Sequence, residues 1–176
     1  MLKKNQTILF CLLAAALILP MNIYLVGEEG LGAGLQSPLL RYQQTYLGTS
    51  LITLADDLNY VTSGVIGGRS ALSILVWVLG TGLLLAAAGY LVYCRYDGIT
   101  GTKKQLVLLV AGGAAAYLLS CILQYGPLLH GPAGLSVPVG VPLILAIAGY
   151  VMRMEEDEEL ECEDEGDSGE DTEGED

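Results

Sequence analysis

Apolar residues in this chain come in long unbroken runs rather than in alternating or striped patterns. Four runs stand out, at 8–26, 71–94, 105–124 and 135–152, and none holds an Asp, Glu, Lys, Arg or His. A helix rises ~1.5 Å per residue, so about 20 apolar residues cross a hydrocarbon core of about 30 Å. A core helix of a soluble protein would show a polar stripe, whereas Leu106 to Leu119 is apolar all round. The pattern predicts an all-α integral membrane protein with four transmembrane helices. Pro138 and Pro142 predict a kinked or late-starting fourth helix, because proline lacks a backbone donor and crowds the preceding turn.

Residues 27–70 form the one long connection between runs. Ser37 followed by Pro38 supplies a cap and a first-turn proline, and Leu40, Leu47, Leu51, Leu54, Leu58 and Val61 recur at helical spacing. The loop is therefore expected to carry an amphipathic helix over about 38–63, packed on its own bundle or turned to a partner.

Charge divides the chain. The formal net charge is -12 and the mean hydropathy is +0.51. Of the 20 acids, 15 lie in residues 155–176, which hold no base; residues 1–154 keep 5 acids against 8 bases. The chain thus reads as a slightly basic membrane domain, 1–154, followed by an acidic tail, 155–176, too polar and too self-repelling to order itself. Lys3, Lys4, Arg95, Lys103, Lys104 and Arg153 flank the runs on one side, and only Arg41 and Arg69 lie on the other. Short cytoplasmic loops collect Lys and Arg, so both termini are expected in the cytoplasm with the body in the cell membrane. Lys3 and Lys4 ahead of an apolar stretch also resemble a secretory signal. Leu25, Val26 and Gly27 make a poor cleavage site, which favours a retained anchor.

Candidate chemistry is sparse. Cys11, Cys94, Cys121 and Cys162 show no metal or redox spacing. His130 has no carboxylate or second histidine near it in sequence, and Asp56 and Asp57, as neighbours on a helix, point about 100° apart. Ser63 to Gly68 is glycine-rich but lacks the lysine of a phosphate loop. No catalytic, cofactor-binding or metal-binding residue is assigned, and no cofactor is implied. The spans hold no ionisable group, which argues against coupled transport. The expected role is that of a small multi-pass membrane protein without enzymatic activity, an interaction or accessory subunit. The alternative is a homo-oligomeric channel or small-solute permease. Its partners would be the lipid bilayer and a protein met through the loop helix or the acidic tail, with nucleic acid excluded by the charge.

Overall fold

The first apolar run changes conformation partway along. In the computed structural model, which describes residues 2–27, 31–97, 103–132 and 134–164, helix α1 (Leu2–Ile18) ends just before Pro20, and strand β1 (Asn22–Val26) takes over. Proline lacks the helical donor and biases the residue before it towards extended backbone. The strand then alternates in burial from Asn22 to Leu25, the two-residue period of a sheet. The fourth run does the reverse. A short strand β5 (His130–Gly131) and strand β6 (Gly134–Val137) precede Pro138, and helix α5 (Gly140–Asp164) begins after it.

The long loop carries three strands before any helix. It forms β2 (Gly32–Gln36), β3 (Leu40–Thr45) and β4 (Gly48–Thr53), and only then helix α2 (Leu54–Thr62). The helix expected over 38–63 is therefore confined to its last third. Ser37 and Pro38 make the turn between β2 and β3 instead, with the Ser37 amide donating to the Leu40 carbonyl at 2.8 Å. The same two residue types favour tight turns as readily as helix starts. Gly48, at φ +132°, opens β4 in a conformation that L side chains rarely adopt. The actual helix start is Thr53, whose hydroxyl accepts from the Asp56 amide while the Asp56 carboxylate accepts from the Thr53 amide at 3.0 Å.

These findings overturn the all-α, four-helix membrane architecture. The described residues join five helices, completed by α3 (Gly68–Asp97) and α4 (Lys103–Tyr125), to a six-stranded antiparallel sheet of order β4-β3-β2-β1-β6-β5. Among the described residues two helices are long and apolar enough to cross a membrane, Gly68–Cys94 with 27 residues and Lys104–Tyr125 with 22. The apolar helical stretches of α1 and α5, Thr7–Ile18 and Gly140–Arg153, are shorter. The multi-pass assignment built on four helical spans falls with them. An apolar run specifies what should surround a segment; it leaves open whether the segment is helix or strand. The acidic tail also differs from expectation over its first part, since α5 continues to Asp164, while residues 165–176 lie outside the described residues.

The helices meet along a core of Leu9, Leu13, Leu84, Ala87, Val110, Ala114, Ile144 and Ile147, continued by Trp77 and Tyr117. Beyond that core β6 of the sheet lies against α4, and α2 against α3. The Pro38 turn meets α3 at Thr81, which sits beside Tyr117 of α4. Farther along, Tyr24 of β1 reaches Tyr125, eight residues beyond Tyr117 and so about 12 Å up the helix. Gly140 ties the start of α5 back to the α1–β1 corner by donating to the Met21 carbonyl at 2.9 Å.

Candidate functional site

The sheet and the α3–α4 hairpin enclose a layer of polar side chains, and this is the strongest concentration of chemistry among the described residues. On the hairpin side, small residues bring the two helices close. A methyl on Gly80 would lie 3.2 Å from Ala116, and one on Gly113 would lie 3.2 Å from Leu84. That closeness lets short hydroxyls reach across. Ser120 donates to the Ser73 carbonyl at 2.8 Å, and Ser73 lies 3.0 Å from the Ser120 carbonyl and 3.1 Å from Gln124 Oε1. The Thr81 hydroxyl lies 3.1 Å each from the Trp77 carbonyl, the Pro38 carbonyl and the Tyr117 hydroxyl. Trp77 and Tyr117 pack edge to face, with ring centroids 4.5 Å apart.

The inner face of the sheet answers with its own polar row. Arg41 of β3 pairs with Asp57 of α2 at 2.6 Å, and their side chains are only 15% and 5% exposed. This charge-assisted bond holds α2 against the sheet. Burial pushes the Asp57 carboxyl up from its ordinary value, with the Arg41 guanidinium pulling the other way. Asp56, one residue earlier, is held below its ordinary value by its hydrogen bonds from Thr53. Tyr24 crosses opposite Gly34, where any side chain would run into its ring, and its hydroxyl lies 3.4 Å from Gln43 Oε1. Ser136 donates to Asn22 Oδ1 at 2.8 Å, while Asn22 Nδ2 and Arg41 Nε are buried with no partner among the described residues. Gln36, Pro38, Arg41, Asp57 and Trp77, among others, close in beside the ion pair and leave no room there for a water molecule.

The residues singled out from sequence are scattered around this layer. Asp56 and Asp57 have separate tasks, a helix cap and an ion pair. His130 is exposed in β5, and Ser63 to Gly68 forms the end of α2 and the turn into α3. Cys94 and Cys121 are buried and Cys11 is exposed, all as free thiols; Cys162 falls in α5. Glu28 and Glu29 lie outside the described residues. Among the described residues no three His, Cys, Asp or Glu side chains gather as metal ligands. The Arg41–Asp57 pair was the feature that sequence reading missed. Its one signal was charge: Arg41 is the only base between Lys4 and Arg69, in a loop whose only other charges are Glu28, Glu29, Asp56, Asp57 and Arg69.

What this layer can do chemically is hold elements together. Arg41 and Asp57 neutralise each other, and the hydroxyls of Ser73, Thr81, Tyr117 and Ser120 are used in bonds between elements. In comparisons with known proteins, no family model matches this chain, and neither does any curated protein or solved structure.

Proposed function

We propose that this chain is a membrane-embedded protein of non-enzymatic role, an interaction or accessory subunit anchored by the α3–α4 hairpin. The hairpin is the observation that carries this reading. Its two apolar helices have the length a bilayer needs, and their buried hydroxyls are satisfied within the protein, as a medium without water requires. Small residues at the crossing, Gly80, Gly113 and Ala116, are what close helix packing in lipid uses. The non-enzymatic part rests on the engagement of Arg41, Asp57 and Asp56 in structural bonds.

In this reading both termini face the cytoplasm. Lys3 and Lys4 at the start of α1, Arg95 near the end of α3, Lys103 and Lys104 at the start of α4, and Arg153 in α5 supply the bias of bases that sets orientation. The partner is the bilayer, together with a protein met at α2 and β4 outside or at the acidic tail inside.

The first test is extraction. Membranes holding the full chain should retain it through an alkaline carbonate wash, and its release would overturn membrane embedding. Purification in mild detergent should then bring a stoichiometric protein partner with it. A homo-oligomer that passes solute across liposomes would overturn the accessory role and leave the location standing. Protease added to inside-out vesicles should remove the acidic tail, and protection there would reverse the orientation.

A further inference from the structure

The outward face of the sheet has the polarity of a lipid-facing surface. The register aligns Val137, Ile23, Leu35 and Tyr42 in one row across β6, β1, β2 and β3, each between 41% and 47% exposed. The adjacent row, led by Leu135 and Leu25, is likewise uncharged. The opposite face, turned to α3 and α4, holds Asn22, Tyr24, Arg41, Gln43 and Ser136. A one-sided sheet in water is apolar towards its core and polar outside, so this one is inverted. An uncharged row of this kind exceeds the scattered apolar residues that a soluble surface normally shows.

From this inversion we infer that the outward face of β6, β1, β2 and β3 contacts lipid acyl chains. The inference rests on the membrane embedding proposed above and says what covers the sheet. Three observations choose acyl chains over a protein partner. The strands run alongside the hairpin, since the Pro38 turn meets Thr81 and Tyr24 meets Tyr125 farther up α4. Their outward face is therefore directed sideways, as are the exposed Leu72, Leu75, Leu79 and Leu119 of the hairpin over the same height. The apolar helical parts of α1 and α5, of 12 and 14 residues, reach only roughly 20 Å, which leaves the sheet to cover the hairpin over the rest of its height. Unpaired strand edges do not occur in hydrocarbon, and the contact is accordingly limited to these four strands, each paired on both sides. The row continues onto β4 at Leu51, flanked there by Thr49 and Thr53; β4 is the free edge and, with α2 and its Asp56 and Asn59, belongs to the rim where water reaches.

The test uses the full chain in phosphatidylcholine vesicles with or without bromine on the acyl chains, which quenches tryptophan in contact with them. Trp77 is the sole tryptophan and is 2% exposed, so it stays as a common background. Tryptophan is added singly by Tyr42→Trp, Leu35→Trp, Leu108→Trp as the helix reference and Asn59→Trp as the aqueous one. The added emission of Tyr42→Trp and Leu35→Trp should be lost to the same extent as that of Leu108→Trp, while Asn59→Trp keeps its emission. Two sheet variants are used so that one that misfolds does not decide the outcome. If Leu108→Trp is quenched and both sheet variants are not, the inference fails and the membrane reading stands. In that case quenching of the sheet variants by aqueous iodide would mean water on the face, and protection from iodide a protein partner or second copy. If Leu108→Trp itself escapes quenching, the membrane reading fails and takes the inference with it.

Discussion

The two halves of the α3–α4 hairpin are packed by different means. Beyond Thr81 and before Tyr117, the hairpin meets α1 and α5 through Leu84, Ala87, Val110, Ala114, Ile144 and Ile147, all apolar. On the other side of that level it meets a sheet, through Thr81 at the Pro38 turn and Tyr125 at Tyr24, and the layer between holds the Ser73–Ser120 pair of the hairpin, the Arg41–Asp57 pair of β3 and α2 and the Asn22–Ser136 pair of the sheet. Helices satisfy their own backbones, so apolar side chains suffice between them. Turns and strand ends leave groups such as the Pro38 carbonyl that must be met by neighbours, and polar side chains gather where they are.

That contrast can be broken at several points. The largest effect is expected at the buried ion pair. Arg41→Met leaves Asp57 buried without its cation and should cost about 3 to 5 kcal/mol in detergent unfolding at neutral pH. With the guanidinium gone, the Asp57 carboxyl rises further above its unfolded value. The deficit should therefore shrink as pH falls through that raised value and be full above it. A deficit that does not change with pH would mean that the pair is not what holds α2. In the apolar half, Leu84→Ala should cost about 3 kcal/mol by leaving a cavity against Gly113, with the same value at both pH extremes. A pH-dependent loss there would erase the distinction between the halves.

Smaller effects sharpen it. Thr53→Ala removes the α2 cap and should cost about 1 kcal/mol, read as faster amide exchange over α2. In the unaltered protein the same cap is present at neutral pH and is lost as pH falls through the lowered Asp56 value, because a protonated carboxyl no longer accepts from the Thr53 amide. Thr81→Val is expected to cost the least, about 0.6 kcal/mol, the mean for a hydrogen bond between membrane helices. A loss several times larger would show that Thr81 matters chiefly as the anchor of the Pro38 turn.

Legibility followed the same division. Runs 71–94 and 105–124 are helical throughout, because they are long, apolar and free of proline. Runs 8–26 and 135–152 were equally apolar, yet each splits at a proline, Pro20 and Pro138, into a helix and a strand. The leucines from Leu40 to Val61 matched a helical period by residue spacing alone. The pairing of Leu40 with Thr53 and of Tyr42 with Leu51 instead puts Leu40, Tyr42 and Leu51 on one face of a hairpin. The polar layer was hidden for a related reason: Arg41 and Asp57 are 16 residues apart and meet only once that hairpin has folded back.

By itself, then, the sequence determined which segments avoid water, where the charge lies and where two long helices must be, since those follow from local composition and from the length a helix needs. Only the tertiary structure decided that each of the remaining apolar segments is part helix and part strand and that the sheet turns its polar face inward. It also decided that Arg41, Asp56 and Asp57 divide into an ion pair and a helix cap. Strand pairing depends on partners far away in the chain, as between Ile23 and Val137, and no local pattern specifies it.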